Sequence, residues 1–388
     1  MATTVVGSID IQALLKSDEF LRGLKELQRE GESSSGNIGN SFKALSKTAA
    51  VAFAAVATAV KAVGVAALRI GGDFQDSMAS IRSTTGMTAE DIGKLNTGFR
   101  DLALRGGHSA NEIAKAMSSV AVSGQSVSES LQLMEKSMVL ADAVSMDLAD
   151  ATSFLSLALM KTGADTSKAE KYINAFAMAA SLSGMSMAKL QEAIITLAPT
   201  MNASGASIEE MSGALTILYR GGISGVAAGR GLEQIFNQLV SPSNAAASAI
   251  DTLGIEIFDA AGNMRPFNDI LLETMGALED VTTEQERLNL QNDLFSTVYS
   301  RAVFAELQNN KKAWQANIQV MYEAGDAFDG LGQAFGMAEM RGATFSQSFG
   351  LMRNSLQDML LTLFEIIEGP LGEIVRNLGG YLQIWLFG

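Results

Sequence analysis

Between Phe74 and Gly221 the chain is cut at short intervals by one recurring unit, a glycine, any residue, then a serine or threonine that opens a helix-forming stretch. It stands at Gly86-Met87-Thr88, Gly107-His108-Ser109, Gly124-Gln125-Ser126, Gly184-Met185-Ser186 and Gly205-Ala206-Ser207. Glycine tolerates the left-handed conformation that closes one helix. The hydroxyl accepts an orphan backbone N–H at the start of the next. Three starts carry a complete capping box: Ser109 with Glu112, Ser126 with Glu129, and Ser207 with Glu210. Ser167 with Glu170 is a fourth box without the glycine at that offset. This punctuation predicts a chain of short antiparallel helices, not a parallel sheet. Successive glycines of the unit lie 21, 17, 60 and 21 residues apart, so no solenoid of fixed period is expected.

Composition supports an all-α chain. Only 4 of 388 residues are proline, while glycine numbers 37 and methionine 20. The apolar faces are narrow and built of small residues, as in Ile113, Ala114, Met117, Val120 and Ala121, or Leu131, Met134, Met138, Leu140 and Ala141. Methionine at this spacing reads as a filler of irregular core gaps. The expected architecture is an elongated bundle with long N-terminal helices and one small β-ribbon near 254–266. The ribbon is read from Ile255 and Ile257, alternating before the turn Ala261-Gly262-Asn263. Helices resume at Phe267–Leu278 and again after Thr282-Thr283.

Chemistry is restricted by what the chain lacks. With no cysteine and one histidine, thiolate sites, Cys nucleophiles and paired-His zinc sites are excluded. The net charge of −14 argues against coating nucleic acid, because neutralising phosphates needs a basic surface. The stretch Gly221–Gly231, GGISGVAAGRG, lacks the GK[ST] ending of a nucleotide loop and follows a helix, so it reads as a tight turn and close packing. His108 reads as a cap-adjacent surface residue, with no matched base or nucleophile. The acidic pairs Glu209/Glu210, Glu284/Glu286 and Glu365/Glu368 lack surrounding aromatics for sugar stacking and read as solvated helix surface. No catalytic, cofactor-binding or metal-ligating residue is expected, and the chain is not expected to be an enzyme.

Three regions follow. Residues 1–72 hold an amphipathic helix at 9–31, a Gly/Ser linker at 31–41 and an Ala-rich helix that Gly71-Gly72 is expected to end. The start shows no basic region before an apolar core, so it does not read as a secretory signal. Within the Ala-rich helix, residues 48–68 are long enough for a bilayer, but Lys61 sits inside them. They read as a close-packing helix, a membrane span, or a helix that inserts only on release. Residues 73–310 form the punctuated core. Residues 311–388 form C-terminal helices, with a broad apolar face from Met352 to Ile367 and an uncharged ending, YLQIWLFG. Such an ending is expected to be held by a partner or membrane, or to continue in a longer natural chain.

Four segments, in order, resemble the N-terminal core of phage tail tape measure proteins of the TP901 type. They are FQDSMASIRSTTGMTAEDI (74–92), HSANEIAKAMSSVAVSG (108–124), GGISGVAAGRGLEQIFNQLVSP (221–242) and LGIEIFDAAGNMRPF (253–267). Arg230 departs from the small or hydroxyl residue usual there. The resemblance implies a structural role. Several self-associating copies would line the tail tube lumen, setting tail length and leaving ahead of the genome at ejection. Implied partners are the tail tube protein, tail tip or baseplate proteins and tail assembly chaperones, with transient host-membrane contact and no specific nucleic-acid binding. Assembly would take place in the host bacterial cytoplasm. A fully helical chain of this length would reach roughly 580 Å at most, at about 1.5 Å per residue. The alternative carried beside it is a membrane-active, pore-forming helical protein, drawing on residues 48–68 and 350–387.

Overall fold

A computed structural model describes residues 66–325 and 332–342, with residues 354, 355, 357, 358, 361, 362 and 365. The chain divides into two units, residues 72–359 and residues 1–71 with 360–388. The helix expected at 9–31, the linker, nearly all of the 48–68 span, the apolar residues named between 352 and 367 and the uncharged ending lie outside the described residues.

Residues 66–85 (α1) are helical without a break, so Gly71-Gly72 does not end a helix as expected. Each glycine costs about 1 kcal/mol relative to alanine. Burial of Phe74, Met78 and Ile81 on one face just beyond outweighs that. The helices that follow are α2 (Ala89–Arg105), α3 (Ala110–Val120), α4 (Val127–Val144), α5 (Leu148–Thr162), α6 (Ala169–Ser183), α7 (Met187–Ser204), α8 (Ile208–Arg220) and α9 (Val226–Val240). Within this run each helix packs on the helix two places along the chain. Even-numbered helices therefore make one row and odd-numbered helices the other, and the chain alternates between rows.

The helix starts reveal a period that the Gly-x-Ser pattern hides. Thr88, Ser126, Asp165 and Ser207 are 38, 39 and 42 residues apart. Ser109, Asp147, Ser186 and Gly225 are 38, 39 and 39 apart. The gap of 60 contains two starts made with aspartate. Asp147 accepts the Ala149 N–H after Ser145, whose φ of 54° makes it the left-handed closing residue, and Asp165 accepts the Ser167 N–H after Gly163. The box expected at Ser167 and Glu170 does not form, since the Ser167 hydroxyl is bonded to Asp165 and α6 has no side-chain cap. Turns of the same set lie side by side: the Gly124 N–H donates to the Thr85 carbonyl at 3.1 Å. Residues 72–240 are thus a stack of helical hairpins in which each unit buries its faces on its neighbours.

Small residues make the stack tight. Thr152 and Thr216 are fully buried, each donating its hydroxyl to the carbonyl one turn back, Leu148 at 2.7 Å and Ser212 at 2.8 Å. The larger side chains stack between rows, as Phe154 on Phe176 with ring centres 4.5 Å apart. Helix α9 needs its glycines on two faces. A Cβ at Gly229 would come within 2.8 Å of the Ala193 carbonyl on α7, and one at Gly231 within 2.3 Å of Val303. The glycine-rich stretch is therefore a packing device, and at its turn Gly222 and Gly225 have φ of 85° and 57°.

Helices α10 (Asn244–Leu253), α11 (Phe267–Glu279) and α12 (Glu284–Leu294) pack on one another. Between α10 and α11 the expected ribbon reduces to one antiparallel bridge, Phe258 with Met264, and no strand forms among the described residues. The Asp259 carboxylate accepts the N–H groups of Ala261 and Asn263, which tightens the turn, and Pro266 has no N–H with which to extend a ladder. Helix α13 (Val298–Asn309) then lies on α9, and α14 (Lys311–Glu323) on α8. Helix α15 (Gln333–Gly342) crosses α4 and α6. Still further on, Asn354 donates to the carbonyls of Ala103, Gly106 and His108, and Asp358 pairs with Arg100 on α2 at 2.6 Å. The chain thus returns along the even row in reverse order.

Two glycines separate packing from propensity. Gly229→Val is expected to lower the unfolding free energy by about 2–3 kcal/mol through overpacking against a backbone oxygen. Gly93→Ala, where an added Cβ meets nothing within 4 Å, is expected to raise it by about 0.5–1 kcal/mol. Urea unfolding followed by helical circular dichroism measures both.

Candidate functional site

The residues with any chemical capacity are placed by the turns. His108 follows Gly106-Gly107 between α2 and α3, and its Nε2 lies 3.1 Å from Asp142 Oδ1 on α4. An Asp–His pair can activate a hydroxyl. The adjacent Ser109 is committed instead, as its Oγ accepts the Glu112 N–H at 3.3 Å in the capping box. The pair joins α4 to the turn rather than forming a triad.

Glu209 departs from the expectation of a solvated carboxylate. It is only 5% exposed and pairs with Lys171 at 3.3 Å. Its neighbour Glu210 completes the box with Ser207, whose hydroxyl also meets the Tyr322 hydroxyl at 3.0 Å. Glu284 and Glu286 lie in the first turn of α12, where Thr283 accepts the Glu286 N–H. Glu365 has a partner, and Glu368 lies outside the described residues.

Clefts occur where two turns of the same set meet. One of about 350 Å³ lies between the α5–α6 and α7–α8 turns and is lined by Thr162, Lys168, Lys171, Tyr172, Ser207 and Glu209. Burial pushes the Tyr172 phenol above its ordinary range, against the lowering effect of its 2.5 Å bond to Thr162. Another of about 470 Å³ lies between the turns at Thr85–Thr88 and Gly124–Ser128. A third, about 510 Å³, lies between Val144–Met146 and Ala180–Ala188. The form recurs with different side chains each time, so it follows from stacking and carries no common chemistry. Among the described residues no group of three or more His, Asp or Glu could hold a metal ion. Nor is any single described helix long and apolar enough to cross a membrane; α4 and α5 pass that test only as a pair bent by 118°.

The shared electrostatic feature is the cap carboxylate. Asp91 is held below the ordinary aspartate range by the Thr88 hydroxyl. Glu129 is lowered by the N–H and hydroxyl of Ser126, and Asp165 by the hydroxyl and N–H of Ser167. These groups fasten the turns, which is a structural task.

Residues 96–296 match the family described as phage-related minor tail protein. The chain belongs to that family. Over 386 residues, 98% of this chain, it is 25% identical to the tape measure protein of Pneumococcus phage Dp-1, covering 33% of that relative. Over 101 residues, 26% of this chain, it is 34% identical to the probable tape measure protein of Escherichia phage P2, covering 12% of it. The chain therefore spans about a third of the first relative's length and about an eighth of the second's. No solved structure matches it. The minor tail family match covers most of the hairpin stack, from within α2 to the end of α12. The resemblance carried by the four sequence segments thus meets relatives that bear the tape measure name.

Lowered carboxylates fix the sign of an acid dependence. A group whose folded pKa is depressed contributes stability above its unfolded pKa and loses it as pH falls through the folded value. Stability is therefore expected to be flat from about pH 7 to 5 and to fall below about pH 4, the ordinary carboxylate range. Glu129→Gln is expected to reduce the drop in melting temperature between pH 6 and pH 3, measured by thermal denaturation.

Proposed function

We propose that this chain is a phage or prophage tail tape measure protein, a structural component of the tail tube lumen that takes part in setting tail length, in tail assembly and in genome ejection. The observation that carries this reading is the match of 98% of the chain to a relative named for that role. The fold is consistent with it. The Asp–His pair, the buried Glu209 and the cap carboxylates are each engaged in holding helices together, which supports a chain that acts by occupying space.

The same reading supplies the partners. Copies of the chain associate with one another and with the tail tube protein, tail tip or baseplate proteins and tail assembly chaperones, with transient host-membrane contact at ejection. The excess of 42 acidic over 28 basic side chains suits a filling that must give way to DNA without binding its phosphates.

The hairpin period makes the length claim measurable. An in-frame deletion of residues 126–164 removes one hairpin at its natural joints. A hairpin unrolled into continuous helix accounts for about 58 Å at 1.5 Å per residue. The same hairpin kept in the stack accounts for about 10 Å, one helix-packing distance. Electron microscopy of tails from the deletion phage is expected to show shortening, and its size tells which form lies in the tube. Tails of unchanged length would remove the ruler role from this part of the chain.

A further inference from the structure

Helix α15 is fastened unlike the helices it covers. Among its described side chains only Ala334 is fully buried, while Phe335 and Met340 are 40% and 61% exposed. Beneath it, α4 and α6 bury runs of residues that include Leu133, Met134, Ile173 and Phe176. Hydrophobic burial is roughly proportional to the apolar area removed from water, so α15, which lies close on α4 through small residues, buries less apolar side-chain area than the helices beneath it.

A polar catch sets its position instead. Asn174 on α6 is 3% exposed, and its Oδ1 accepts the Ala334 N–H at 3.0 Å. Gly332, just before the helix, has φ of 87° and lies so close that a Cβ there would fall within 2.6 Å of the Asn174 side chain. A buried asparagine with one matched donor and one position that admits only glycine defines a single register. Such a hydrogen bond contributes little net stability, because the same groups bond to water when apart. The catch is specific, and its own contribution to stability is small.

We propose that α15 is a releasable strap across the even row, closed by the catch of Asn174 with Gly332 and Ala334, and that it opens while both rows remain folded. Opening uncovers α4 and α6 and removes the crosspiece that ties these two neighbouring hairpins. It is the first step by which the stack can begin to separate. The proposal goes beyond the tail reading and does not rest on it, since it concerns the isolated chain.

Hydrogen–deuterium exchange on the full 388-residue chain tests it. Amides of residues 335–342 are expected to exchange at least ~100-fold faster than those in the middle of α5 and α6, as a separate opening unit. Gly332→Val, which clashes with Asn174, is expected to raise exchange in α15 by a further ~10-fold and leave α5 and α6 unchanged. Ala334→Pro deletes the donated N–H in the first helical turn, where proline is tolerated, and is expected to act in the same direction. Equal protection of α15, α5 and α6 in the unaltered chain would overturn the strap. So would either variant that folds and leaves α15 exchange unchanged, or that speeds exchange equally across both rows.

Discussion

The structure depends on satisfying backbone N–H groups where helices begin. A helix of 11 to 18 residues, as here, is marginal alone in water. It leaves four N–H groups without intrahelical partners at its start. Thr88, Ser109, Ser126, Asp147 and Ser207 each supply an oxygen to one of them, and Asp165 does so for the short 3-10 turn that leads into α6. With the starts fixed at nearly regular intervals, helices of one row come into register, and side-chain packing follows from that. Where the cap is absent, as at Ser186 and Gly225, the neighbouring contact is close instead: α9 reaches α7 through Gly229.

Small residues then take the part that large apolar residues play in most helical cores. The buried hydroxyls of Thr152 and Thr216 bond to their own helix and so add no unsatisfied group at the contact, whereas those of Ser137 and Ser212 have no hydrogen-bond partner. Glycines at Gly213, Gly229 and Gly231 admit Ile318, the Ala193 carbonyl and Val303 respectively. Close approach compensates for modest area, because dispersion falls steeply with separation.

Much of this was legible in the sequence, and the failures have identifiable causes. The capping boxes at Ser109, Ser126 and Ser207 were readable because they are local and chemical. The hairpin period was not, because the pattern required glycine followed by a hydroxyl, whereas Asp147 and Asp165 cap equally well and Ser145 adopts the left-handed form without being glycine. Gly71-Gly72 reads as a stop on local propensity alone, which takes no account of the face formed by Phe74, Met78 and Ile81. The alternation of Ile255 and Ile257 signalled extended chain correctly, but Asp259 and Pro266 hold it to a single bridge. Glu209 gave no sign of burial, since its partner Lys171 lies a full hairpin earlier. The return of α15 to α6 through Asn174 joins residues 160 positions apart, and nothing in a single sequence marks such a pairing.

That return has a consequence for how the molecule is made. Each hairpin from α2 to α9 finds its neighbour within a few dozen residues of sequence, so the two rows need no distant segment to form. Domains generally fold as units while synthesis proceeds from the N-terminus. Helices α14 and α15, Asn354 and Asp358 emerge only after the rows are complete, and their docking sites on α8, α6, α4 and α2 are then already built. The crosspiece is added last, onto a finished surface, and the order of translation becomes the order of closure.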